Sequence, residues 1–250
     1  MPLSPSLVGT RSTGHARILT DDDVAASREL PLMGAIALGL PALGALLVDP
    51  ALSLSMMRLA GVAHRVALHA PLRAGDIVTT TATLSAIRPD ELGEVLDIRL
   101  ETRGAGGDTV VNATASLLLR GPRRRDGVVV APAAEVFGPG GDTVVVEVDA
   151  ARGAALAAGL GDHNPIYVDD DAAAQAGLPG RLVPNLGVLA LAGATVDASG
   201  RTLRGRFVRP ALVGDTLTIT HWPVDGGRGF SVVNQEGVVI VVDGTVGGVA

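Results

Sequence analysis

Residues 161–193 read GDHNPIYVDDDAAAQAGLPGRLVPNLGVLALAG, and the order of features in this stretch decides how the rest of the chain is taken. Asp162, the amide of Asn164 and then Pro165 make a turn whose polar groups are displayed rather than paired within a strand or helix. The turn runs on to Tyr167, the single tyrosine of the chain. Asp169, Asp170 and Asp171 open a short Ala-rich helix, where carboxylates satisfy free N–H groups and complement the helix dipole. They are assigned capping and no catalytic role, as are Asp21, Asp22 and Asp23. A Gly-rich loop and a long apolar helix at 186–198 complete the stretch.

The order of helix followed by strands occurs twice. Pro71-Leu72-Arg73-Ala74-Gly75-Asp76 matches Pro210-Ala211-Leu212-Val213-Gly214-Asp215 at an offset of 139 residues. In both, Pro and a Gly-Asp turn lead into a β-rich run, 77–84 in the first and 216–222 in the second. Further strands are predicted at 94–102 and 109–120, and at 229–234 and 238–242. Each set follows an apolar helical segment, 32–48 or 186–198. Neither helix is stable outside a wrapper, so the pattern predicts an α+β chain of two halves, each a central helix wrapped by an antiparallel sheet, with the sheets side by side. The halves are placed at 1–120 and 143–250. Residues 121–142 have the Gly, Pro and charge content of an exposed linker, and Arg123, Arg124 and Arg125 are read as part of it.

Composition narrows the functions. With 250 residues, 47% hydrophobic and 18% charged, the chain can bury a full core. A net charge of -6 favours neither nucleic acid nor an anionic membrane as partner. All 20 basic residues are arginine, which excludes Schiff-base chemistry on lysine and the phosphate loop ending in Gly-Lys. Without cysteine there are no disulfides, thiolate nucleophiles or cysteine-held metals. His15, His64, His69 and His221 show no metal-ligand spacing with carboxylates, so neither metal nor cofactor is predicted. Residues 31–48 are uncharged, but Pro31, Gly34, Gly39, Pro41 and Gly44 interrupt them, which favours buried helix over membrane span. Residues 1–17 lack the features of a signal peptide, and a cytoplasmic location is expected.

Over residues 161–193 the chain resembles the MaoC-like family, the (R)-specific enoyl-thioester hydratases and dehydratases with the hot-dog fold. Their signature is roughly G-D-x-N-P-I-H-x-D, a helix, then I-V-H-G-M. Gly161, Asp162, Asn164, Pro165, Ile166 and Asp169 fit it, and Leu182-Val183 stand at the later Ile-Val. The duplication extends the resemblance to the two-domain, double hot-dog members, whose first half lacks the motif, as it does here. The resemblance implies an Asp and His dyad that activates water at the β-carbon and exchanges a proton at the α-carbon of a thioester. Asp162 takes the first place and Tyr167 the second. A phenol of pKa about 10 orients or donates, whereas an imidazole near about 6.5 also accepts. The family's His-Gly is here Pro184-Asn185. The family's backbone N–H at that Gly polarises the thioester carbonyl, helped by the following helix. Asn185 keeps an N–H and tolerates positive φ better than most residues with side chains.

The catalytic candidates are thus Asp162, Tyr167 and Asn164, and the substrate-binding candidates Asn185, Leu186, Gly187, His163 and Arg181. Each has a plainer reading: Asp162 and Asn164 as turn residues, Tyr167 as a core aromatic, Arg181 as a stem over apolar surface. His163, next to Asp162 in an extended turn, faces the other way. Three functions remain open. The first is a lyase adding or eliminating water on an acyl thioester, bound to CoA or a carrier protein, or on a polyketide-like chain. The second is a repurposed cyclase or isomerase, and the third a non-catalytic acyl-binding subunit. A lone carboxylate also permits thioester hydrolysis. Exposed sheet edges and family habit point to a homodimer.

Overall fold

The computed structural model describes residues 3–30, 32–121, 141–197 and 199–248. The predicted linker at 121–142 lies, but for its end residues, outside the described residues. The first half contributes β1 (His15–Ile18), α1 (Asp21–Glu29), α2 (Met33–Leu47), β2 (Leu59–Leu68), β3 (Ile77–Asp90), β4 (Gly93–Gly104) and β5 (Thr109–Arg120). The second begins with β6 (Asp142–Glu147), α3 (Ala150–Leu160), α4 (Asp170–Gln175), β7 (Leu182–Val183) and α5 (Asn185–Val196). It continues with β8 (Thr202–Phe207), β9 (Ala211–Leu212), β10 (Thr216–Val224), β11 (Gly227–Asn234) and β12 (Val239–Gly247).

Ten of these strands form one antiparallel sheet in the order β1-β3-β4-β5-β2-β8-β12-β11-β10-β6. Read inward from its two edges, the sheet repeats itself: β1, β3, β4, β5, β2 from one side and β6, β10, β11, β12, β8 from the other. The repeats meet where β2 pairs with β8, from Ala63 against Arg206 to Ala67 against Thr202. With α2 before β2 and α5 before β8, this is the double hot-dog fold, of α+β class, as the duplicated sequence predicts. The remaining two strands, β7 and β9, pair separately.

The duplicated strand starts have one physical cause. Gly75 and Gly214 adopt φ of +89° and +99°, a left-handed conformation that glycine takes without a Cβ penalty. Their N–H groups donate to the carbonyls of Leu19 and Val148, both at 2.8 Å. The next carboxylates, Asp76 and Asp215, accept from the N–H groups of Arg73 (3.2 Å) and Leu212 (2.9 Å) and close the turn. β3 and β10 therefore begin where the sequence places them, at Ile77 and Thr216.

β3 and β4 turn Val78, Ala82, Leu84, Leu96, Ile98 and Leu100 into the core. The buried hydroxyls of Thr80 and Thr102 bond each other at 2.8 Å, so that pair carries no unmet polar group. α2 lies close to this face, since a Cβ on Gly39 would sit 2.9 Å from Leu100 Cδ1. Spanning 15 residues with Pro41 inside it, α2 matches the buried helix expected at 32–48. No helix among the described residues is long and apolar enough to cross a membrane.

Candidate functional site

α3 delivers the motif carboxylate. Gly161 ends the helix at φ +64°, and the N–H of Asp162 donates back to the carbonyl of Ala157 at 3.0 Å. This C-terminal turn reverses the chain and needs glycine at the left-handed position. Asp162 then accepts the N–H of Asn164 at 3.2 Å, and Asn164 Oδ1 accepts the N–H of Ile166 at 3.3 Å. Asn164 thereby caps the 3-10 turn Pro165–Tyr167, with Pro at a position where no N–H is needed. The turn presents Tyr167 beside Asp162.

Asp162 and Tyr167 share a cavity of about 220 Å³ with Asn185 and Leu186 at the start of α5, under apolar walls that include Leu160 and Phe207. Burial, followed by the charge and hydrogen-bonding reach of the Asp162 carboxylate, pushes the Tyr167 phenol well above its ordinary value. The phenol is therefore a neutral donor, not a base. α5 begins after Pro184 with no side chain capping it. Its first N–H groups are free for a ligand oxygen at the positive end of the helix dipole. Asn185 sits in ordinary helical backbone, because the only non-glycines with positive φ among the described residues are Ser53 and Asp243. The tolerance of asparagine for positive φ, invoked from the sequence, consequently plays no part here.

The other sequence candidates lie outside this lining. His163 and Asn164 are exposed. Arg181 Nε is paired with Asp170 Oδ1 at 3.0 Å. Gly187 is buried where α5 meets α3, and a Cβ there would sit 3.0 Å from Leu156 Cβ. Gly187→Leu is therefore expected to push α3, with Asp162 at its end, away from α5. We expect a loss of about 1–3 kcal/mol in urea unfolding, the usual cost of overpacking.

His64 was not singled out by sequence reasoning, yet it lines the same cavity from β2. It is 4% exposed, and its Nε2 has no hydrogen-bond partner. Burial lowers its pKa to about 4, which keeps the imidazole neutral. Burying an unpaired nitrogen costs about 1–3 kcal/mol. The sequence carries no signal of this placement, because the strand that holds His64 is not among those it predicts.

A second cavity, about 650 Å³, runs along α2 between residues such as Gly34, Leu38 and Pro41. The two cavities share Leu43, Leu160 and Asp162, so Asp162 stands at their junction. Arg17 and Asp23 line the larger one and are paired with each other.

Residues 141–245 match the MaoC like domain. Among curated relatives, a UPF0336 protein of Thermobifida fusca is 30% identical over 111 residues, covering 44% of this chain and 70% of the relative. A Streptomyces coelicolor UPF0336 protein is 35% identical over 79 residues, 32% of this chain, and the match spans about half (53%) of that relative's length. The 3-hydroxyacyl-thioester dehydratase Y of Mycobacterium tuberculosis is 27% identical over 201 residues, 72% of this chain and 69% of the relative. Similar solved structures include a MaoC-like dehydratase from Phytophthora capsici, with a TM-score of 0.75, 16% identity and 98% and 97% of the two chains covered. HtdX of M. tuberculosis has a TM-score of 0.74 at 20% identity, covering 95% of this chain and all (100%) of the other. The chain belongs to the MaoC-like dehydratase family.

Proposed function

We propose that the chain is a hydro-lyase that adds water to, or removes it from, an acyl thioester, with the reacting atoms in the smaller cavity. The observation that carries this reading is the convergence of Asp162, Tyr167 and the uncapped start of α5 on one cavity. Asp162 takes a proton from water as the oxygen bonds the β-carbon. The Cα=Cβ pair moves onto the thioester oxygen, which accepts the N–H of Asn185 at the helix start. Asp162 then returns the proton to the α-carbon. Tyr167, fixed as a donor, holds the water or the product hydroxyl.

The cavity along α2 is assigned to the acyl chain, because it opens from Asp162 between apolar helix residues. The two halves, 1–120 and 143–250, have distinct parts in this proposal: the first supplies the acyl groove and the second the motif. A homodimer belongs to the same reading, since Ile18 and Val145 stand exposed on the two edge strands.

The test is the loss of enoyl-thioester absorbance with trans-2-enoyl-CoA substrates of increasing length. Turnover that improves with chain length until the α2 groove is filled is the expected result. Inertness toward every member of the series counts against the hydration of CoA thioesters.

One observation favours a second reading, a cyclase or isomerase acting on a polyketide-like substrate. Arg17, which lines the larger cavity, and Arg181, just before β7, are both paired with carboxylates instead of offered to a phosphate. A shaped apolar cavity with one neutral donor is sufficient for such chemistry, because orientation supplies much of the rate. Under this reading the enoyl-CoA series is inert and Tyr167→Phe, not Asp162→Asn, abolishes turnover of the true substrate.

A further inference from the structure

We infer that His64 is a third catalytic group of this site: its imidazole accepts one hydrogen of the attacking water while Asp162 removes the other. This rests on the hydration reading above, and it joins the first half of the chain to the chemistry of the second.

The placement of the ring follows from the sheet. His64 pairs across β2 with Ala115 of β5 on one side and Gly205 of β8 on the other. Neither neighbour carries more than a methyl group; Leu189 and Val241 fill the room over Gly205, and the imidazole itself lines the smaller cavity. Asp162, Tyr167, Asn185 and His64 all line that space. Nε2 of His64 is buried without a partner, although buried polar atoms are nearly always bonded. A water held in the cavity is the natural partner for it.

The donors and acceptors are complementary. Tyr167 and the first N–H groups of α5 donate, and a carboxylate at Asp162 only accepts. A water poised for attack must direct two hydrogens at acceptors and a lone pair at the β-carbon. Asp162 provides one acceptor, and the neutral imidazole provides the second, its lone pair free because burial keeps the ring unprotonated. In the step, Asp162 takes one proton, the water oxygen bonds the β-carbon and the Cα=Cβ pair moves to the thioester oxygen. The α-carbon then takes the proton from Asp162. The remaining O–H stays on the product, still bonded to His64, so the elements of water have been added and the protein is unchanged.

The first test is His64→Leu, which keeps an apolar body of similar size and removes the acceptor. Hydration of trans-2-enoyl-CoA is expected to fall about 100-fold in kcat, the scale set by misplacing a reactant, with KM nearly unchanged. The midpoint of thermal unfolding is expected to hold or rise, since an unpaired buried nitrogen is gone. His64→Gln, whose amide oxygen still accepts, is expected to retain more activity than His64→Leu. A purely structural histidine predicts the reverse pattern, with stability moving and kcat not.

If wild type hydrates, Asp162→Asn does not, and His64→Leu matches wild type, the inference is overturned while the hydration reading stands. If folded wild type hydrates none of the series, the hydration of CoA thioesters falls, and this inference, drawn for that reaction, falls with it. Should the His64 variants not fold, imidazole 15N spectra of wild type decide, with the other four of its five histidines assigned by replacement. Saturating 3-hydroxybutyryl-CoA is expected to shift the His64 resonance, and an unmoved resonance overturns the inference.

Discussion

Asp162→Asn is expected to lower kcat/KM for enoyl-thioester hydration about 1,000-fold, within the range that a general acid–base group contributes. That factor corresponds to about 4 kcal/mol of transition-state stabilisation. The amide cannot take the proton of water, yet it preserves the local structure. The Asp162 side chain accepts the N–H of Asn164 and lies within hydrogen-bonding reach of the Tyr167 hydroxyl, and an amide oxygen accepts from both equally well. Unfolding by heat or urea should therefore be unchanged. A variant that hydrates at the wild-type rate removes Asp162 from the mechanism. A variant that loses both activity and stability assigns it to the turn instead. Tyr167→Phe, which deletes a donor and no base, is expected to cost less than Asp162→Asn.

Gly244→Ala is expected to produce a large loss of stability without touching the site, about 3 kcal/mol, at the upper end of overpacking costs. A Cβ at this position would lie 2.5 Å from two ring carbons of Phe230 and 2.6 Å from its backbone oxygen. Phe230 is fully buried, and β11 is held on both faces of its ladder by β10 and β12, so neither ring nor backbone can yield cheaply. The preceding residue, Asp243, already takes φ +54° at an irregularity in the pairing of β12 with β8. For a chain of this size the unfolding midpoint should fall by about 6–12 °C. A midpoint within a degree or two of wild type, measured by calorimetry, contradicts the crowding of Phe230.

The double hot-dog was legible because its signals are local. Gly75-Asp76 and Gly214-Asp215 shape their own turns, and the β-branched runs after them become β3 and β10. The apolar segments at 32–48 and 186–198 become α2 and α5, with ends within two residues of those expected. β2 and β8, the strands that join the halves, were not picked out. They contain Gly61 and Gly205 and lack a dense β-branched run, so the signal for them is weak. Their strand character comes from partners distant in the chain.

The site divides along the same line. The sequence alone determines the turn that holds Asp162 and Tyr167 together, because Gly161, Asn164 and Pro165 act within a few residues of them. Tertiary structure alone decides which side chains share their cavity. Leu186 and Asn185 enter it, whereas Arg181 is drawn to Asp170 and Gly187 is buried against α3. His64 enters from a strand almost a hundred residues away because β2 pairs with β8 in the register that sets it opposite Gly205. Strand alternation determines that His64 points inward; only the long-range pairing of the two halves determines what it meets there.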